Sequence, residues 1–292
     1  MALLINKWNV EVTSKSAEGE SIKDIIARQM VFTVPDGSEQ RSEDAVNGVI
    51  QGAVCVTNAV NLKGGAAVKP LLELLVDALS SPNGGAALAK RFKFPFLPPD
   101  IFCKENAVVM RGLYKQRPFA ICFPKLLDQY KSCTDQNVKS NYLVALSGIL
   151  ENTPSEVILP EIEQLMPVLL QAMDSPNQAV KAASIKVLSA AIGQSSSSIE
   201  GHIRSVILRL LTIAQQPSKR GADITLKVRL MALKCLADVP LHLKKVLIEP
   251  YVAQVLRELE RPLSDGRRDV REGAVKCRYT WFKLITLTEE ED

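Results

Sequence analysis

Few side chains in this sequence are placed to do covalent or redox chemistry. His202 and His242 are the two histidines, and neither has a cysteine, aspartate or glutamate at ligand spacing. The six cysteines, Cys55, Cys103, Cys122, Cys133, Cys235 and Cys277, are separated by 48, 19, 11, 102 and 42 residues, so no CxxC or zinc-type spacing arises. No GxGxxG, P-loop, GxSxG or HExxH motif occurs. The glycine pairs in NLKGGAA and NGGAA fall between helical patterns, where a turn needs them, rather than at a phosphate cradle. The sequence predicts no enzyme activity, no cofactor and no metal.

The chemistry that remains is charge recognition. Lys186, Lys234 and Lys276 fall at equivalent positions of a repeating pattern, and Arg267, Arg268, Arg271 and Lys276 crowd into GRRDVREGAVKC near the end of the chain. Such residues can receive an acidic protein surface. A net charge of +4 over 292 residues is mild and does not by itself indicate nucleic acid. Tyr279, Trp281 and Phe282 follow directly and make the densest aromatic and basic cluster. Trp281 sits at a core position of the pattern; any exposed part of it would be a hot-spot candidate.

The pattern that positions these residues is clearest in DSPNQAVKAASIKVLSAAI, residues 174–192. Core-type residues stand at offsets 0, 3, 4, 7, 8 and 11 from Val180, which is one stripe of an amphipathic helix. Copies start at Val138, Val228 and Val270, so the successive spacings are 42, 48 and 42 residues. Each copy follows another apolar-striped helix, beginning near Phe119, Ile162, Ile203 and Val252. A two-helix repeat of this length defines an all-α fold, a HEAT-repeat α-solenoid built as a right-handed superhelix of antiparallel helix pairs. Pro124, Pro167 and Pro250, in or near the first helices, favour HEAT over armadillo repeats. At offset 6 the column reads Val144, Lys186, Lys234, Lys276, on the face turned from the core. Offset 1 is Lys139, Lys181, Arg229 and Arg271, and HEAT-like repeats pair this position with a loop aspartate. Asp135, Asp174, Asp223 and Asp265 stand close by.

Four regular repeats therefore occupy 119–285, with an acidic tail at 286–292. Residues 1–44 read as a remnant helix and a polar, partly ordered insertion bracketing a short helix at 22–30. Irregular repeats fill 45–118: stripes from Val46 and Val68, a shorter helix at 86–94, a proline-rich interruption at 95–99 and a further helix at 104–114. No run of 18 apolar residues and no secretory leader occurs, and the thiols are expected to be reduced, so a soluble intracellular protein is expected.

Three blocks go beyond generic patterning: LYKQRPFAICFPKLL at 113–127, NYLVALSGILENTPSEVILPEIEQLMPVLLQAM at 141–173, and LERPLSDGRRDVREGAVKCRYTWF at 259–282. Over residues 45–285 the chain resembles the C-terminal region of the HEAT-repeat scaffold of the cytosolic iron-sulfur protein assembly targeting complex, the family first named for methyl methanesulfonate sensitivity. Residues 1–44 and 95–103 match its motifs poorly. The resemblance implies a non-catalytic domain that docks the adaptor subunit of that complex, which links to a β-propeller subunit. It also implies that the assembly recruits iron-sulfur client apoproteins such as DNA polymerases and helicases, in cytoplasm and nucleus. Arg267, Arg268, Arg271 and Lys276 occupy the matching terminal block.

A karyopherin-like receptor or another HEAT scaffold is the alternative, although acidic rather than lysine columns would suit basic cargo. Direct nucleic-acid binding and a membrane partner are not expected. Homodimerisation through apolar edges of the terminal repeats stays open.

Overall fold

A computed structural model describes residues 1–7, 12, 21–30, 42–96, 100–194, 197–217 and 223–289, with the side chains of Asp223 and of 285–289 excluded. It is helical throughout, and no strand occurs among the described residues. Most of the segment expected as an insertion, residues 97–99 of the proline-rich interruption, residues 218–222 and the last three residues lie outside the described residues. The chain divides into two compact units, residues 1–154 and 155–292.

The first unit begins with α1 (Ala2–Lys7) and α2 (Ile22–Met30), both packed on α3 (Glu43–Lys63). Ser42 caps α3 by accepting from the Ala45 N–H, and the helix ends at Gly64, whose φ of 75° is left-handed. By length and composition α3 could cross a membrane, but it turns Thr57, Asn58 and Asn61 into the protein, as a core helix does. Next come α4 (Val68–Ala78) and α5 (Gly85–Arg91), then α6 (Gln116–Ser132) and α7 (Gln136–Asn152). First helix packs on first helix, α4 on α6, and second on second, α5 on α7, which is how stacked repeats bury one another's stripes.

The helix expected at 104–114 does not form. Lys104–Asn106 makes a single 3₁₀ turn, and Ala107 (φ 49°) and Leu113 (φ 63°) are left-handed, so a helix cannot run through them. The backbone of this stretch is satisfied from outside. Asn6 accepts from the Val109 N–H at 2.8 Å and donates to the Val109 carbonyl at 2.9 Å; the Arg111 N–H donates to the Leu62 carbonyl at 2.8 Å. Asn58 donates to the Phe94 carbonyl, and Asn61 donates to the carbonyls of Pro95 and Tyr114. Buried asparagines thus replace the hydrogen bonds that a helix would have made for itself.

The second unit is more regular. A short turn of helix opens each repeat: α8 (Ser155–Ile158) before α9 (Ile162–Asp174) and its partner α10 (Gln178–Gly193); then α11 (Ser197–Glu200) before α12 (Ile203–Ala214) and α13 (Asp223–His242). In the last repeat α14 (Lys245–Ile248) precedes α15 (Val252–Glu258), α16 (Glu260–Leu263) and α17 (Arg268–Glu289). Ile158, Ile199 and Ile248 plug these opening turns into the core. Helix α9 packs on α12 and α12 on α15, while α10 packs on α13 and α13 on α17. Pro124 and Pro167 lie inside α6 and α9, as the HEAT reading expects. Every stripe position of α12 is buried, as is each of those from Val180 in α10. Elsewhere some stripe positions stay half-exposed, among them Val138, Leu170, Met231, Leu256 and Leu263.

Candidate protein-docking surface

The basic residues at offset 1 hold the repeats together. Arg229 is 1% exposed: its Nε donates to the Ala214 carbonyl at the end of α12, and its Nη2 donates to Asp265 in the loop between α16 and α17. Burial opposes ionisation of Asp265, but hydrogen bonds from Arg229 and the Arg267 N–H, with the charges of Arg229 and Arg271, outweigh it and hold the carboxyl below the usual aspartate value. Arg271 donates through Nη1 to the carbonyls of Asp265 (2.8 Å) and Gly266 (3.1 Å), so its guanidinium caps the same loop. Lys181 is buried, which pushes its ammonium below the usual lysine value while the charge of Asp174 opposes the shift. Asp174 itself pairs with Arg209 of α12 at 2.9 Å. Lys139 lies over the Tyr130 ring, 5.9 Å from its centroid.

The offset-6 lysines face outward. Lys186 on α10, Lys234 on α13 and Lys276 on α17 are all exposed. Lys276 pairs with Glu272 one turn earlier at 2.8 Å, which together with Arg268 holds the Glu272 carboxyl below its usual value. Of the terminal arginines, Arg268 is exposed, Arg267 is half-buried and Arg271 is committed to its loop.

The aromatic cluster separates into two faces. Trp281 is 0% exposed and its Nε1 donates to the Leu236 carbonyl at 2.8 Å, so it anchors α17 to α13 and cannot be a surface hot spot. Tyr279 and Phe282 turn the other way, 60% and 50% exposed, in line with Val275 at 57%. These three stand at i, i+4 and i+7, a second apolar stripe beside the core one. Lys283 lies over the Tyr279 ring, 4.7 Å from its centroid. The sequence points to the two aromatics through their cluster with basic residues, and Val275 joins them only through its helical spacing.

Sequence reasoning also missed a groove on α13. Leu226, Lys227, Leu230, Met231 and Lys234 line an open apolar hollow of about 350 Å³. The thiols offer nothing comparable: Cys122, Cys235 and Cys277 are buried, and burial pushes each well above the usual cysteine value. Among the described residues no group of three histidines, cysteines or carboxylates could hold a metal ion.

Stacked helix pairs with side chains of one repeat reaching into the next define a HEAT/armadillo-like repeat scaffold. The same architecture is found in an engineered protein (TM-score 0.57, 16% identity, 88% of this chain and 98% of that one). A designed armadillo repeat protein matches similarly (TM-score 0.54, 14% identity, 88% and 98%). The family model described as RNAPII transcription regulator C-terminal matches residues 1–240, and the chain belongs to that family, the C-terminal region of MMS19 proteins.

The MMS19 nucleotide excision repair protein homolog of Xenopus laevis is 32% identical over 235 residues, covering 79% of this chain and 22% of that protein. The Homo sapiens homolog is 30% identical over 78% of this chain and 22% of that protein. The DNA repair/transcription protein mms19 of Schizosaccharomyces pombe is 30% identical over 73% and 20%. The chain spans about a fifth of the length of these relatives. The family match includes residues 1–44, which match the family's motifs poorly, and stops before the terminal block 259–282.

Proposed function

We propose that this domain is a non-catalytic docking platform that binds the adaptor subunit of the cytosolic iron-sulfur assembly targeting complex through the outer face of α17. The observation that carries the reading is the Val275–Tyr279–Phe282 stripe, exposed on α17 with Arg268 and Lys276 on the same helix, in a chain whose residues 1–240 match the family. Large amphipathic side chains surrounded by charge are the composition of an interface centre. Through the adaptor the domain joins the β-propeller subunit and presents client apoproteins, including DNA repair and replication enzymes, in cytoplasm and nucleus. Its own part is to fix geometry: two weak contacts on one rigid surface raise the effective concentration of each partner at the other.

The test is a pull-down of residues 1–292 with the adaptor subunit, using Arg268→Glu and the double variant Tyr279→Ala/Phe282→Ala. Arg271 is a poor choice for reversal, because its guanidinium holds the Asp265–Gly266 loop. Loss of binding with an unchanged thermal melt supports the reading. Absence of binding by the unsubstituted domain overturns it.

A further inference from the structure

We infer that the groove on α13 is a second docking site, one that takes an acidic peptide segment carrying aliphatic side chains. This deepens the reading of the domain as a protein-docking scaffold, on which it rests, and places a contact on a different helix from the α17 stripe.

The argument begins with what the groove residues are not needed for. Leu226, Leu230 and Met231 are half-exposed, so they are only partly absorbed by the repeat core. At the same offsets α10 carries Gln178, Ala182 and Ala183, and α17 carries Arg268, Glu272 and Gly273. Small or polar residues therefore satisfy the fold at these positions in the two repeats that flank α13. At the offset of Met231 both neighbours are small, Ala183 and Gly273, where α13 is large. Gly273 brings α17 close, with Leu230 Cδ2 at 3.7 Å from where a β-carbon would stand. Met231, expected in the core, instead lines the hollow, and its flexible thioether suits a surface that must adapt to a guest.

The rim sets the charge of the guest. Lys227 and Lys234 flank the aliphatic floor, and among the described residues neither has a carboxylate within ion-pair distance, whereas Lys276 one repeat on is already paired with Glu272. Lys227 has no counterpart in the flanking helices, where Ala179 and Asp269 stand. An aliphatic floor of about 350 Å³ flanked by two exposed ammonium groups matches a segment in which leucine-like side chains alternate with glutamates or aspartates. Nucleic acid fits less well, since the groove has neither an arginine nor an aromatic ring on which a base could stack.

The experiment measures fluorescence anisotropy of a labelled peptide in which glutamates alternate with leucines, titrated with residues 1–292. Binding is expected, with a loss of about tenfold in Lys227→Glu/Lys234→Glu. A similar loss is expected when the peptide leucines are replaced by serine, and no change in Lys69→Glu, a lysine of α4. Circular dichroism and a thermal melt establish that the double variant is folded. The inference is overturned if the peptide does not bind, if the double reversal leaves affinity unchanged, or if the serine peptide binds as tightly. It is equally overturned if a single-stranded oligonucleotide of the same charge binds as tightly at the same residues. Adaptor capture is scored separately with the α17 variants, so either result can fail without the other.

Discussion

Arg229 of α13 reaches Asp265, the loop aspartate of the following repeat. One guanidinium thereby ties three elements: the end of α12 through Ala214, its own helix, and the loop that launches α17. A charge only 1% exposed is tolerable only with its partners in place.

Removing one side of that pair leaves the other charge stranded. Asp265→Ala is expected to destabilise the protein by roughly 3–5 kcal/mol, and Arg229→Met by less, because methionine is of similar length and the carboxylate it strands is the less buried of the two charges, 17% against 2% exposed. Chemical denaturation of the two variants checks the order.

The same pair makes stability depend on acid. The folded carboxyl of Asp265 lies below its unfolded value of about 3.9. Its contribution is therefore present above that pH and is lost as pH falls through the lower, folded value. Melting temperatures below about pH 4 should fall more steeply for the unsubstituted protein than for Asp265→Asn.

Gly85 opens α5 where no side chain fits. A β-carbon there would collide with the Leu79 carbonyl oxygen and lie 2.8 Å from Asn141 Nδ2, the group that donates to that same carbonyl. Gly85→Ala is expected to cost about 1–3 kcal/mol. An unchanged melt would show that the α5–α7 contact gives way easily.

Trp281 and Tyr279 should behave in opposite ways. Trp281→Phe leaves a cavity and an unmet Leu236 carbonyl, a loss of about 1–3 kcal/mol. Tyr279→Ala should shift stability by no more than about 0.5 kcal/mol while weakening partner capture.

The repeats were legible because a 3.6-residue period survives any local irregularity: the stripes from Phe119, Val180 and Ile203 are buried where the spacing placed them. The stretch at 104–114 was misread because its apolar residues also satisfy a helical ruler. What decides against a helix is hydrogen bonding from Asn6 and the Leu62 carbonyl, distant in sequence. The pairing of offset 1 with a loop aspartate was readable as chemistry. That Asp265 of the next repeat is a partner of Arg229 was not, since that contact depends on the lateral packing of α13 on α17. Trp281 and Tyr279 could not be sorted by composition, since the face of α17 that meets α13 depends on how the two helices are rotated. The opening turns α8, α11 and α14 left a signal that went unused, a buried isoleucine ahead of each first helix.

The measurement closest to the central claim is adaptor capture by residues 1–292, compared among the unsubstituted domain, Arg268→Glu and Tyr279→Ala/Phe282→Ala, with a thermal melt on each. Strong capture by the first and loss in both variants, at unchanged melting temperature, is the expected result. Capture that survives both variants would contradict the placement of the docking face on α17.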